Sequence, residues 1–188
     1  MNLKNTSFSR IEGWINEIDK ITLDFKKTTQ NLTHAQLNWK VNKQTWSIAQ
    51  NMEHLIVVNE SYFPILHQIR TGKYKTPFLG KFKFITKTLG SALLKSVQRK
   101  KKTKTFHQWK PTQEEEIKEI FVKFEKHQEE LKQQIEEAED ILKKGAVIAS
   151  PANKNIIYTL EAAFDIIINH EKRHLQQTKE VLKTLLKQ

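Results

Sequence analysis

The stretch of sequence that organises the chain is Asn169-His170-Glu171-Lys172-Arg173-His174, close to the C-terminus. Apolar residues recur around it at helical spacing, so His170 and His174 project from one face of a helix, one turn apart. Two imidazoles at this spacing are typical of metal ligands. A third histidine, His54, lies in another helical stretch. We therefore predict that these three side chains converge on one divalent metal ion.

The histidine pair has a second interpretation. Both residues border the apolar stripe of their helix, where an unpaired imidazole is costly to bury. Hydrogen bonds to Glu171, Asn169 or nearby backbone would also satisfy them, and spacing alone does not separate the two interpretations. The other histidines lack a comparable context and are expected to be surface or packing residues: His34, His67, His107 and His127.

The apolar periodicity predicts an all-α fold, a four-helix bundle with a long crossover between its second and third helices. No strand signal of comparable strength competes with the helical pattern. Pro64 is expected to kink the second helix, because proline removes a backbone donor. The predicted helices span about residues 9–31, 47–71, 112–145 and 155–186.

Three of these helices have a capping box at the predicted start, in which a hydroxyl residue precedes Glu or Gln by three positions. The pairs are Ser9 with Glu12, Ser47 with Gln50, and Thr112 with Glu115. The intervening residues 32–45 are too short and irregular for another long helix, and are predicted to form a connector anchored by Trp39.

The amino-acid composition limits the kinds of cross-link, metal ligand and nucleophile that the chain can contain. The 188 residues fit one domain, and the absence of cysteine excludes disulfides, thiolate ligands and cysteine nucleophiles. A bound metal must therefore take nitrogen and oxygen ligands. No run of about 18 apolar residues and no signal-peptide pattern is present, so we expect a cytoplasmic protein.

The net charge of +11 belongs to one segment, an insertion at about residues 72–111. No acidic residue lies between Glu60 and Glu114, whereas that interval holds 13 Lys and Arg residues, and the rest of the chain has a net charge of −2. Part of the insertion, residues 84–98, is expected to be helical. Because the charge is local and no nucleic-acid motif accompanies it, a nucleic-acid partner is not favoured.

Three interpretations of the insertion remain open. It is a mobile, solvated loop whose aromatic side chains pack on the bundle, or a lid that attracts an anionic substrate to the metal site. Alternatively, residues 78–104 form an amphipathic surface that contacts a membrane, because aromatic residues and lysines interleave there.

Several motifs together resemble the DinB/YfiT-like superfamily of metal-binding four-helix proteins. They are Leu37-Asn38-Trp39-Lys40, Trp46-Ser47-Ile48-Ala49-Gln50 followed by Glu53-His54-Leu55, and His170-Glu171-x-x-His174-x-x-Gln177. Each motif alone is weak, but their order and separation are specific. The resemblance covers residues 9–70 and 112–186.

The resemblance implies zinc or nickel bound by His54, His170 and His174, with coordination positions left for water or substrate. Three neutral imidazoles suit either ion. Gln50 and Gln177 would then be contacts to the ligands or the substrate, although Gln50 also suits a helix cap and Gln177 a solvent-exposed position. Glu171 would orient a ligand histidine or accept a proton.

Two functional classes follow from this resemblance. The first is an enzyme acting on a small molecule, either a metal-dependent transferase that uses a low-molecular-weight thiol or a metal-dependent hydrolase. The second is a metal-binding or interaction module without turnover. The sequence contains no feature that separates them. A homodimer is a further expectation, because four-helix proteins with exposed apolar flanks often dimerise.

Overall fold

The computed structural model describes residues 3–99, 105–112 and 116–187. Two short turns of 3₁₀-helix, Phe78–Lys81 and His107–Trp109, lie in the crossover region. The remaining elements follow in chain order: α1 (Leu3–Thr29), α2 (His34–Asn38), α3 (Ile48–Glu60), α4 (Phe63–Arg70), α5 (Lys83–Gln98), α6 (Ile120–Glu136), α7 (Glu139–Lys143), β1 (Val147–Ala149), β2 (Ile157–Thr159) and α8 (Leu160–Leu185).

Four of the helices, α1, α3, α6 and α8, form a bundle. Both α1 and α3 pack against α6 and α8, so α1 and α3 occupy opposite corners although they are neighbours in sequence. The crossover helix α5 packs outside the bundle against α8 and β2. The structure therefore confirms the predicted all-α four-helix bundle with a long crossover between the second and third bundle helices.

The first helix is longer than predicted. It begins at Leu3, six residues before the expected cap at Ser9, because no proline or glycine interrupts the intervening sequence. Its predicted apolar stripe is buried, and aromatic pairs join it to both neighbours. Trp14 meets Phe164 of α8 at a ring-centroid distance of 5.1 Å. Phe25 meets Phe124 of α6 at 4.8 Å.

The second predicted helix begins as expected. The backbone N–H of Gln50 donates to the Ser47 hydroxyl, and the backbone N–H of Ser47 donates to the side-chain oxygen of Gln50. The helix is divided after Glu60, and Pro64 lies in the first turn of α4, where its missing donor costs nothing. The expected kink is therefore a break between two helices.

The third predicted helix begins later than expected. Residues 116–119 are not helical, and α6 starts at Ile120. In the predicted capping box, Glu115 lies outside the described residues, whereas Thr112 is bound to a different partner. Its N–H and hydroxyl donate to the Glu53 carboxylate on α3 at 2.7 and 2.9 Å. A tertiary contact thus replaces the local cap.

A two-stranded antiparallel hairpin precedes the last helix, where the sequence predicted helix from about residue 155. Its register pairs Val147 with Thr159 and Ile148 with Tyr158. The side chain of Thr159 then accepts from the Ala162 N–H and caps α8. Three-residue strands leave too short a pattern to outweigh a helical one.

The crossover helix α5 matches the predicted residues 84–98 closely. Gly90 brings it close to the hairpin and α8, since a Cβ on Gly90 would lie 3.1 Å from the Tyr158 Cβ and 3.3 Å from the Ala162 Cβ. This part of the insertion is a packed helix. The aromatic residues of the insertion differ in burial: Tyr74 and Trp109 pack partly buried against the core, whereas Phe78 and Phe84 are 69% and 81% exposed. Among the described helices, none combines the length and hydropathy needed to cross a membrane.

Candidate metal centre

The three predicted ligands meet between α3 and α8, near the level where the crossover returns to the bundle. The His170 Nε2 atom lies 3.4 Å from the His54 Nε2 and 3.1 Å from the His174 Nε2. Two ligand nitrogens around a tetrahedral zinc ion are about 3.3 Å apart, given a Zn–N distance of about 2.0–2.1 Å. The spacing of these nitrogens therefore fits a divalent ion.

His54 is oriented by the crossover. Its Nδ1–H donates to the backbone carbonyl of Trp109 at 2.6 Å. A carbonyl only accepts, so in the neutral ring the proton resides on Nδ1 and the Nε2 lone pair remains free. The end of the insertion, which lies 55 residues away in sequence, thereby fixes the tautomer of a candidate ligand.

His174 is oriented by Asn51, one helical turn before His54 on α3. The Asn51 amide nitrogen donates to the Ser47 carbonyl at 2.8 Å, so its oxygen faces His174. The His174 Nδ1–H donates to that oxygen at 2.8 Å. The same reasoning leaves the His174 Nε2 unprotonated and directed at the other two rings.

Burial keeps the three imidazoles neutral. It lowers the pKa of His54 to about 4, against which the Trp109 carbonyl acts only partly. Burial, followed by the neighbouring histidines and Arg173, holds the pKa of His170 and His174 well below the usual range. The Nε2 lone pairs of His54 and His174 therefore face the Nε2 atom of His170, whose Nδ1 has no hydrogen-bond partner among the described residues. Three neutral imidazoles at this spacing suit a divalent metal.

Trp46 covers one side of the cluster. Its ring centroid lies 4.8 Å from that of His54 and 5.9 Å from that of His174, nearly parallel to the latter. The residue immediately precedes the Ser47 cap, which fixes where α3 begins and hence where the indole lies. The indole therefore shields the imidazoles from solvent on this side.

Glu171 lies in the bundle interior and is fully buried. Its two oxygens accept hydrogen bonds from Asn59 on α3 at 2.7 Å and from Gln128 on α6 at 3.0 Å. Burial raises the pKa of its carboxyl to about 7, although both hydrogen bonds act in the opposite direction. Within the described residues, neither oxygen is hydrogen-bonded to a candidate ligand, so the structure links Glu171 to the core.

The two predicted glutamines differ in their surroundings. Both polar groups of the Gln50 side chain are used within the protein: its oxygen caps α3, and its nitrogen donates to the Thr112 carbonyl at 2.6 Å. Gln177 is half-buried, one turn beyond His174 on α8, and has no hydrogen bond to another described side chain or backbone group. Its amide is therefore free to contact a ligand.

The sequence reasoning missed three contributors to the site. Asn51 had a detectable signal, because an asparagine one turn from a predicted ligand is a natural partner for a histidine nitrogen. The Trp109 carbonyl had none, since any residue supplies a backbone oxygen. The Glu53–Thr112 contact, which holds that carbonyl in place, joins positions 59 residues apart.

A helical bundle with an internal three-histidine centre defines a class of candidate metalloproteins. The chain belongs to the DinB superfamily, whose family model matches residues 17–178. The sequence resemblance to this family is thereby confirmed. No curated protein matches the chain.

Among solved structures, the fold is similar to that of YfiT from Bacillus subtilis, described as a probable metal-dependent hydrolase with an unusual four-helix bundle topology. The similarity has a TM-score of 0.53 and covers 93% of this chain and 87% of YfiT, at 14% sequence identity. At this identity the comparison supports the shared fold.

Proposed function

We propose that the chain is a metal-dependent enzyme in which His54, His170 and His174 hold a zinc or nickel ion and a small nucleophile attacks an electrophilic substrate. The observation that carries this proposal is the convergence of three Nε2 atoms while two of the Nδ1 atoms are committed to carbonyl oxygens. Such locked tautomers are typical of metal-ligating histidines.

The nucleophile is a low-molecular-weight thiol or water. A divalent ion held by three imidazoles supplies Lewis acidity, which lowers the pKa of either nucleophile toward neutrality. The thiol interpretation rests on the family resemblance, and the hydrolytic one is supported by the likeness to YfiT, described as a probable metal-dependent hydrolase.

The chain's own residues have distinct roles in this proposal. Asn51 and the Trp109 carbonyl orient the ligand rings, and Trp46 excludes water from one side of them. Gln177 contacts the substrate through its free amide.

Metal content is the first test. Protein purified without a histidine tag is expected to hold about one zinc or nickel ion per chain by elemental analysis, and His54→Ala is expected to lose it. His67→Ala removes an exposed histidine elsewhere and serves as the control. A wild-type protein without stoichiometric metal, or full retention by the His54 variant, would contradict the proposal.

Product analysis then separates the two nucleophiles. The metal-loaded protein is incubated with several small thiols and either an aryl halide or activated esters, and the products are identified by mass spectrometry. A thioether with release of halide indicates a thiol transferase, whereas acid and alcohol products indicate a hydrolase. Stoichiometric metal without turnover on any substrate would favour the non-catalytic module.

A further inference from the structure

A compact apolar and basic surface lies at the start of the crossover, remote from the metal centre. Four apolar side chains are exposed within seven residues: Phe78 by 69%, Leu79 by 45%, Phe82 by 48% and Phe84 by 81%. Together with Lys81, Lys83 and Lys87 they form what we term the Phe78–Lys87 surface. We propose that this surface docks on a bilayer that contains anionic lipid.

The backbone under these side chains is anchored. Gly80 is buried against the hairpin, and a Cβ on it would lie 2.9 Å from the Val147 Cγ1 and 3.7 Å from the Ile157 Cγ2. The 3₁₀ turn is thus seated on the hairpin through its glycine, and its phenylalanines face away from that contact. Phe78 and Phe82 pack edge-to-face on each other at 5.8 Å, and the Lys81 Nζ lies 5.5 Å from the centroid of the Phe78 ring.

This arrangement is costly in water. Each exposed phenylalanine forgoes burial that would be favourable elsewhere, and contiguous apolar surface on a fixed backbone usually marks a binding surface. Four exposed apolar side chains on the 3₁₀ turn and the adjoining start of α5 suit insertion among lipid headgroups. Aromatic and lysine residues interleaved in this way are typical of interfacial membrane segments.

The charge of this surface favours anionic over neutral lipid. Lys81, Lys83 and Lys87 are exposed, and none has an ion pair with a described carboxylate. The whole interval from residue 61 to 113 contains no acidic residue. Each lysine near an anionic bilayer adds attraction, whereas a neutral bilayer offers none.

A second copy of the chain fits this surface less well. A twofold contact through the Phe78–Lys87 surface would place the lysines of one copy against the lysines of the other. Like charges across an interface are repulsive and no carboxylate lies within the segment to offset them. The same charges attract an anionic bilayer.

The candidate metal centre lies near the opposite end of α5 from this surface. The far end of α5 reaches the metal-binding part of α8, where Gln98 donates to Asn169 at 3.1 Å and Arg173 donates to the Ser96 carbonyl at 3.3 Å. A helix of 16 residues spans about 24 Å. The proposal therefore concerns a surface separate from the histidines and does not depend on the proposed reaction.

Vesicle co-sedimentation tests the proposal. The full-length protein is expected to pellet with vesicles of 60% phosphatidylcholine and 40% phosphatidylglycerol at least about tenfold more than with pure phosphatidylcholine, and less in 0.5 M salt. A Phe78→Ser, Phe82→Ser, Phe84→Ser triple variant and a Lys81→Glu, Lys83→Glu, Lys87→Glu triple variant are each expected to lose most of this binding.

Matched controls keep the result specific. Leu23→Ser with Val122→Ser removes exposed apolar side chains elsewhere, and Lys20→Glu, Lys123→Glu, Lys154→Glu reverses the same number of exposed lysines; both are expected to bind like wild type. Circular dichroism checks that each variant remains helical. Absence of vesicle binding, equal loss in the control variants, or a dimer by ultracentrifugation that the phenylalanine variant abolishes would overturn the proposal.

Discussion

At the scale of single residues, the orientation of the candidate ligand histidines depends on partners that are not themselves candidate ligands. Asn51 is the clearest case, because its amide nitrogen is fixed by the Ser47 carbonyl and its oxygen receives the His174 proton. An aliphatic residue at this position would leave the His174 ring free to adopt either tautomer.

We expect Asn51→Leu to weaken metal binding by about 10–100-fold, the usual effect of removing such a partner. Competition with a chromophoric chelator measures the affinity, and thermal unfolding of the metal-free protein checks that the fold persists. Asn16→Leu, at an exposed position on α1, should bind metal normally. An unchanged affinity in the Asn51 variant would show that the hydrogen bond does not orient the ligand.

Gln177 permits a test of substrate contact that is separate from metal binding. Gln177→Ala is expected to raise KM several-fold while metal content and kcat stay close to wild type, because a free amide contributes to binding rather than to the ligand set. Steady-state kinetics with the substrate found by product analysis gives both constants. Gln176→Ala, which alters an exposed neighbour, is the control; a loss of metal in the Gln177 variant would contradict this assignment.

His127 predicts a pH dependence of stability. Burial lowers its pKa from 6.5 to about 4, and the ring stacks on Phe63 at 5.8 Å. The unfolded chain therefore binds more protons than the folded one between these values. Stability from this residue is present above pH 6.5 and is lost as the pH falls toward 4.

The measurement is urea unfolding of metal-free protein at pH 7 and pH 5. Wild type is expected to lose about 1–2 kcal/mol more than His127→Gln over this interval, since one pKa unit corresponds to about 1.4 kcal/mol. Comparing the two proteins cancels the contribution of the metal-site histidines. Equal losses would indicate that His127 is not buried as a neutral ring.

At the scale of secondary-structure elements, the seating of the crossover helix depends on Gly90. Valine there would place a branched side chain against Tyr158 and Ala162, where even a Cβ is crowded. We expect Gly90→Val to lower the free energy of unfolding by about 1–3 kcal/mol, as overpacking typically does. Gly13→Val on α1 meets no atom within 4 Å and should change stability little or raise it slightly. Chemical denaturation compares the two; similar effects would mean that α5 is not packed closely.

The elements predicted from sequence are those that local signals specify. The Ser47–Gln50 capping box and the apolar stripe of α1 were predicted correctly, because the residues that determine each of them lie within a turn or two of one another. The predicted start of the third bundle helix was wrong, because Thr112 binds Glu53 instead of capping a helix. The hairpin formed by β1 and β2 was missed because strands of three residues are too short to show an alternating pattern.

For the candidate site, too, the sequence predicted the local features and not those that depend on packing. Spacing on α8 and the motif on α3 predicted which histidines meet, since each set is local to one helix. Their tautomers could not be predicted, because those depend on Trp109 and on the rotamer of Asn51, which only the packed bundle defines.

At the scale of the whole molecule, direct contacts join the crossover to the candidate metal centre. Residues 105–112 return the chain to α3, where three contacts hold them: Gln50 and Glu53 bind Thr112, and His54 binds the Trp109 carbonyl. Glu53 accepts two of the hydrogen bonds that hold residues 105–112 on α3, and it is not a candidate metal ligand. Metal affinity should therefore respond to a change in Glu53.

We expect Glu53→Ala to release Thr112 and to weaken metal binding by about tenfold, because the Trp109 carbonyl would no longer hold the His54 tautomer. Hydrogen exchange should increase at residues 105–112 in the same variant, while the core of α8 stays protected. Glu12→Ala, at an exposed position on α1, controls for the loss of one carboxylate. Faster exchange without weaker metal binding would separate the crossover from the metal centre, whereas both changes together would show that the returning crossover completes the site.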